Sequence, residues 1–370
     1  MRVGIPTEIK VHEYRVGMTA ESVRELTTHG HKVMVQTGAG FGAGITDADY
    51  VVAGAEIAPD AATIFAQAEM IVKVKEPQPE ECAMLRAGQI LFTYLHLAPD
   101  PEQARALMKS GCIAIAYETV TDAQGRLPLL TPMSEVAGRM SVHAGAHFLE
   151  KIHGGRGVLL SGVPGVAPGK VVILGGGVVG TNAAIIASGM GADVTIIDKS
   201  LTRLAALDQQ FNGRVGTIYA TTGAIEEHVL AADLVVGAVL IPGAAAPHLV
   251  TKEIVGHMKK GAVIVDVAID QGGCVETAHP TTHTNPVFTV DGVIHYCVAN
   301  MPGAVARTST FALNNATLPY ALSLANKGWK KALIDDPYFR QGLNIADGKI
   351  THSLVAAALH EPCTAPENFI

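Results

Sequence analysis

Residues 170–198 constrain this chain more than any other stretch. The apolar, β-branched run Lys170 to Leu174 leads straight into Gly175-Gly176-Gly177-Val178-Val179-Gly180 and a helix-like segment, and the next apolar run closes on Asp198. G-x-G-x-x-G between a strand and a helix, with an acidic residue ending the following strand, is the dinucleotide-binding fingerprint in its required context. Gly175 permits the tight turn, Gly177 lets a pyrophosphate approach the backbone, and Gly180 lets the helix pack closely on the strand. The helix N-terminus then offers unpaired N–H groups and the positive end of its dipole to the phosphates. Asp198 is expected to accept hydrogen bonds from the adenosine ribose hydroxyls. A 2′-phosphate beside that carboxylate would meet repulsion on the order of a few kcal/mol, so NAD is expected over NADP.

Residues 171–192 carry no charged side chain and are long enough to span a bilayer. The six glycines in that stretch, with Thr181 and Asn182, argue against a membrane helix. With 370 residues and 48% hydrophobic content, about two domains with ordinary cores are expected. The net charge of -7, without a basic block, gives no support for nucleic-acid or anionic-membrane binding. Small anionic substrates would therefore need local cationic residues. The five cysteines show no C-x-x-C pairing, which points to buried free thiols and to neither a disulfide framework nor a zinc knuckle. Only Val3 to Pro6 is apolar before Glu8 and Lys10, so no secretory segment is read and a cytoplasmic location is expected.

Strands are predicted at Val3–Pro6, Lys32–Gln36, Met70–Lys75, Ile90–His96 and Cys112–Tyr117, with helical patterns between them. A second alternation follows, with strands near 170–174, 194–198, 215–218, 234–237 and 263–267. Such alternation implies parallel sheets covered on both faces. Met133, Val136, Ala137, Met140, Ala144 and Phe148 recur at helical spacing, and another long helical pattern covers 304–326. The expected fold is α/β: two doubly wound, Rossmann-like parallel-sheet domains joined by two long crossing helices with a cleft between them. Residues 1–130 and 306–370 form the expected substrate domain, and 131–305 the NAD-binding domain.

In open parallel sheets, ligands bind beyond the carboxyl ends of the strands. Lys75, His96 and Asp270 end three of the apolar runs, and a cleft would gather them around a nicotinamide ring as an acid–base pair with a cation for a carboxylate or carbonyl. Each alone also has a structural explanation: a satisfied histidine, a solvated loop cation, a turn cap. His143 and His147, four apart but outside any H-E-x-x-H arrangement, read as a wet helix face, and no metal site is assigned. His279, His283 and His295 fall in a Pro/Thr-rich region read as loop, without a role.

Further motifs run through almost the whole chain: Val3-Gly4-Ile5-Pro6-Thr7-Glu8-Ile9-Lys10 with Glu13-Tyr14-Arg15-Val16, Val72-Lys73-Val74-Lys75-Glu76-Pro77, and Phe92-Thr93-Tyr94-Leu95-His96-Leu97-Ala98. Pro132-Met133-Ser134-Glu135-Val136-Ala137-Gly138, the glycine fingerprint, Asp266-Val267-Ala268-Ile269-Asp270-Gln271-Gly272-Gly273 and Ala299-Asn300-Met301-Pro302-Gly303 continue them. On these motifs the chain resembles the alanine dehydrogenases. The resemblance implies reversible oxidative deamination of L-alanine to pyruvate and ammonium. It assigns Arg15 to the substrate carboxylate, Lys75 to its carboxylate or carbonyl oxygen, His96 as general acid and base, and Asp270 to proton transfer. It also assigns Asn300 to the substrate and nicotinamide region, and Tyr94, Leu130 and Met133 to crowding the substrate methyl. Ser134, Gly175, Gly177, Val179, Gly180, Asp198, Arg203, Val239 and Asp270 are expected near NAD. A homohexamer is implied as well. Residue reasoning alone would have left Arg15, isolated in a loop, as surface charge. Two other functions share the architecture: a nucleotide-binding transhydrogenase subunit, which needs a membrane-embedded partner, and an opine- or saccharopine-type reductase, which needs a roomier pocket.

Overall fold

The computed structural model describes residues 1–239 and 247–370. It contains fifteen strands among them: β1 Arg2–Ile5, β2 Lys32–Gln36, β3 Glu56–Ala58, β4 Met70–Val72, β5 Ile90–Thr93, β6 Ile113–Ala116, β7 Lys170–Leu174, β8 Asp193–Asp198, β9 Gly216–Tyr219, β10 Leu234–Gly237, β11 Val263–Asp266, β12 Val287–Val290, β13 Val293–Tyr296, β14 Leu343–Ala346 and β15 Lys349–Ile350. Two compact units emerge, Met1–Met133 with Gly303–Ile370, and Ser134–Pro302. The first long helix, Thr131–Phe148, spans that division, while the second, Ala306–Asp335, lies within the first unit and is interrupted at Gly328. No helix among the described residues is long and apolar enough to cross a membrane.

In the first unit the strand order is β15-β14-β6-β5-β4-β1-β2-β3, with β1 to β6 parallel and β14 and β15 added antiparallel. In the second it is β12-β13-β11-β10-β7-β8-β9, parallel except for the β12–β13 pair. Each unit's first six parallel strands therefore run 3-2-1-4-5-6 in space. The chain leaves its first strand in one direction and its fourth in the other, which opens a crevice at the carboxyl ends of those two strands. In the first unit the crevice lies between β1 and β4, and in the second between β7 and β10.

The cores follow from the period-2 pattern of the strands. Val171 and Ile173 face one apolar layer with Ala183, Leu234 and Val263, while Val172 and Leu174 face another with Val229, Val235 and Ile264. Both faces are thus dry, as a parallel sheet requires, and each fully buried Val, Leu or Ile contributes roughly 1.5–3 kcal/mol. Side-chain caps start the flanking helices: Thr19, Asp60, Asp100, Ser200, Thr221 and Thr251 each accept a first-turn N–H.

Three strands end earlier than the apolar runs suggest, at Val72, Thr93 and Asp266. One cause serves all three: a carboxylate captures the backbone N–H groups that a longer ladder would have used. Glu8 takes Val74 N at 2.6 Å, Glu118 takes His96 N at 2.7 Å, and Asp266 takes Ala268 N at 3.1 Å. Two hairpins were not anticipated. Both turn on Asp-Gly with positive φ at each residue, Asp291-Gly292 and Asp347-Gly348, the pair that suits a two-residue turn. The first hairpin also corrects the reading of His295 as a loop residue. It sits in β13, fully buried, with Nδ1 donating to Val293 O and Nε2 accepting from Thr277 Oγ1, and burial lowers its pKa. Cys82, Cys112, Cys274 and Cys297 are buried free thiols, but Cys363 is exposed.

Candidate functional site

In the second unit the glycine turn occupies the β7–β10 crevice. Gly175 has φ of 100°, and a Cβ added there would lie 2.8 Å from Ala238 O and 3.1 Å from Val239 N. A Cβ on Gly180 would lie 1.9 Å from Gly175 O, so only glycine lets the helix Val178–Gly189 start this close to the strand. Gly177 differs, because a Cβ there meets nothing within 4 Å. It is exposed, it is the helix N-cap, and it brings no side chain to satisfy the first turn. An open approach onto helix N–H groups is the cradle a pyrophosphate needs, so these residues fit a dinucleotide.

Asp198 braces the turn, accepting from Gly176 N at 2.7 Å and Ser200 N at 2.8 Å. Arg203 clamps it from the other side through Nε to Gly176 O at 2.5 Å and Nη2 to Thr181 Oγ1 at 2.6 Å. Ser134 and Val179, both half-buried, stand on adjoining helices whose backbones nearly touch: a Cβ on Gly138 would lie 2.3 Å from Val179 O. Asp270 is exposed on the 3-10 turn Val267–Gln271 that follows β11. Asp266 is buried beneath that turn, where it accepts from Cys274 N and Val275 N as well as Ala268 N. Burial pushes its pKa up to about 6. Asn300 is half-buried, and its carbonyl accepts from His283 Nε2 at 2.8 Å, which gives that histidine a structural task.

In the first unit the β1–β4 crevice holds charges. Glu8, just past β1, accepts from Lys73 Nζ at 3.1 Å and from the N–H groups of Val74 and Lys75. Lys73 is fully enclosed and also donates to Glu81 at 2.7 Å. Burial alone would lower the pKa of its ammonium, but the two carboxylates outweigh that and hold it above the ordinary value. Lys75, half-buried, accepts at its carbonyl from Thr93 Oγ1 and so lies against β5. Glu76 ion-pairs with Lys10. Burial raises its carboxyl, and nearby Lys75, Lys10 and His96 bring it below the usual range.

Arg15 is buried rather than a surface cation. Its guanidinium meets Glu13 with two bonds, Nε to Oε1 at 2.6 Å and Nη2 to Oε2 at 2.5 Å, while Nη1 reaches Met133 Sδ at 3.0 Å. Tyr94 is buried, donates to Leu129 O at 2.6 Å beside half-buried Leu130, and lies parallel to the His96 ring at 5.8 Å. Burial raises its phenol, which stays neutral. His96 is exposed and has φ of 49°, a left-handed conformation unusual for a residue with a side chain. Both Leu95 N and His96 N donate to Glu118, so that carboxylate holds the bend presenting the imidazole. The structure thus brings Lys75, His96 and Tyr94 together around β4 and β5, and Arg15 with Met133. Asp270 and Asn300 belong to the other unit.

Sequence reasoning passed over Glu8, Glu13, Lys73, Glu81, Glu118 and Asp266 as functional residues. Glu8 and Lys73 carried a usable signal, since they follow the two strands that flank the crevice. Glu81 carried none, because its pairing with Lys73 is set by folding, and Glu13 was overlooked although its partner Arg15 is only two residues away.

Comparison with known proteins agrees with this arrangement. The profile of the alanine dehydrogenase/PNT N-terminal domain matches residues 4–137, and that of the alanine dehydrogenase/PNT C-terminal domain matches 141–353. An alanine dehydrogenase of Halomonas elongata is 59% identical over 358 residues, covering 97% of this chain and 96% of the relative. A solved L-alanine dehydrogenase superposes with a TM-score of 0.94 at 54% identity, covering 97% of this chain and 99% of that one. A transhydrogenase from Sinorhizobium meliloti gives 0.82 at 25% identity, covering 95% and 100%. Two domain profiles in series and a relative at this identity along nearly the whole length place the chain in the alanine dehydrogenase/PNT family.

Proposed function

We propose that this chain is an NAD-dependent alanine dehydrogenase, interconverting L-alanine with pyruvate and ammonium. The observation that carries the reading is the near-full-length likeness to alanine dehydrogenases, far above that to the transhydrogenase. Residues 1–130 with 306–370 serve the substrate, and 131–305 serve the nucleotide. When bound, NAD supplies the hydride acceptor for the α-carbon of alanine, and NADH the donor in reverse.

Each of the chain's own residues then has a task. Arg15 pairs with the substrate carboxylate, its fork held in plane by Glu13. Lys75 neutralises the same end or polarises the carbonyl oxygen, so the α-carbon is positioned for transfer. His96 takes a proton from the water that attacks the iminium and returns one to the departing ammonia. Asp270 assists that proton movement, and Asn300 steadies the reacting region. Tyr94, Leu130 and Met133 bound the space for a methyl side chain. Gly175, Gly177 and Gly180 admit the pyrophosphate, with Ser134, Val179, Arg203 and Val239 beside the nucleotide. Asp198 receives the ribose hydroxyls and disfavours a 2′-phosphate. A cytoplasmic homohexamer is the matching expectation, which sedimentation of the purified chain checks.

The deciding assay mixes protein with NADH, pyruvate and ammonium and follows NADH absorbance, then repeats with glyoxylate, 2-oxobutyrate and NADPH. NADH consumption that requires both pyruvate and ammonium is expected. Consumption indifferent to ammonium, or hydride exchange between nucleotides alone, would overturn the reading in favour of another reductase or a transhydrogenase subunit.

A further inference from the structure

We propose that His147, Glu150 and His153 form a surface site for one divalent transition-metal ion of the zinc, cobalt, nickel or copper class. One ligand atom from each residue lies within 4.8 Å of the others. His147 Nδ1 is 4.0 Å from Glu150 Oε1, His153 Nε2 is 3.9 Å from Glu150 Oε2, and the imidazole centroids are 4.0 Å apart. Metal–ligand bonds of about 2.0–2.2 Å place neighbouring ligands of a tetrahedral ion roughly 3.3–3.5 Å apart. Small rotations of these side chains, at least partly open to solvent, close the remaining gap.

The backbone prepares the cluster. The helix Thr131–Phe148 stops after His147 and Phe148, buried Leu149 anchors the exit, and the 3-10 turn Lys151–His153 doubles the chain back. Gly155 N donates to Glu150 O, and Gly157 N to Leu149 O. A Cβ on Gly155 would lie 2.3 Å from Phe148 O and Leu149 C, so only glycine permits the reversal that returns His153 to His147. Phe148 meets both imidazoles edge-on, at 5.1 and 5.6 Å between centroids. The reading of His147 as one half of a wet His143–His147 face overlooked a partner that lies beyond the helix end.

Two imidazoles and one carboxylate suit borderline transition ions, whereas magnesium and calcium prefer oxygen donors. Three protein ligands leave a position for water. An ion there ties the last turn of the helix to the segment that follows it.

The test uses untagged full-length protein, stripped with chelator and titrated with cobalt(II), followed by calorimetry and visible absorption and then by zinc competition. One cobalt per chain is expected, with a band displaced by zinc. His147→Ala and His153→Ala should each weaken binding by about tenfold or more. His143→Ala should leave it unchanged, and thermal melts of the metal-free variants confirm folding. Equal cobalt binding by a His147→Ala/His153→Ala double variant, or only millimolar binding shared by all variants, would overturn the site.

Discussion

The two units share a 3-2-1-4-5-6 strand order but fill the resulting crevice in opposite ways. In the second it is cleared: Gly175, Gly177 and Gly180 remove side chains so that backbone N–H groups face outward. In the first it is packed with charge, Glu8, Lys73 and Glu81 locked together and Arg15 fixed by Glu13. Under the proposed function, the same topology serves a large polyanion through backbone in one unit and a small zwitterion through side chains in the other. Affinity for the nucleotide should depend on what is absent, and handling of the substrate on which buried charges are paired.

The largest break in this contrast comes from His96→Ala. Turnover should fall about 10²- to 10⁴-fold while NADH binding, followed by fluorescence titration, stays near wild type. Equal losses in both would merge the two roles. Next is Lys73→Met, which leaves Glu8 and Glu81 enclosed without their cation. Breaking a buried pair in this way costs about 3–5 kcal/mol. Urea unfolding followed through Trp329, the single tryptophan, which lies in the first unit, should shift accordingly. A smaller effect separates two glycines of one motif. Gly180→Ala should destabilise the second unit by about 1–3 kcal/mol through overpacking. Gly177→Ala should leave folding intact and weaken NADH binding by about tenfold, roughly 1.4 kcal/mol.

The smallest effect concerns Asp266. Its pKa is raised to about 6 from 3.8, so between those values the folded state holds a proton that the unfolded state has lost. The group is charged in both states above pH 6, where its burial penalty is largest, and the penalty fades as pH falls toward 4. The stability of the chain relative to Asp266→Asn should therefore rise on acidification from pH 7 to 5, by about 1.4 kcal/mol at most. A gap that stays constant between those pH values would mean that burial does not perturb this carboxyl.

What could be read from the sequence follows the same division. The strand–turn–helix at 175–180 is signalled within a few consecutive residues, so it was legible, although the packing of Gly175 on Ala238 and Val239 was not. Strand Lys32–Gln36 and the buried runs at 170–174 and 234–237 were equally local. Lys73 and Glu8, however, are 65 residues apart, and Glu118 reaches His96 from 22 residues away, so their pairing exists only after the sheet has formed. Arg15 is a different case: its partner Glu13 is two residues away, and what the sequence hid is its burial and its contact with Met133. The two Asp-Gly hairpins are a different kind of miss. Their signal was present at 291–292 and 347–348, but the parallel β-α alternation drew attention away from antiparallel additions.

The empty space around Gly177 bears on how such a chain would drift. Gly175 and Gly180 are demanded by the fold, so they would persist in descendants that had abandoned the nucleotide. Gly177 is not demanded by packing, and on the proposed function it is demanded only by the visitor. Its replacement in a related sequence that keeps the other two would be the earliest written trace of a lost cofactor.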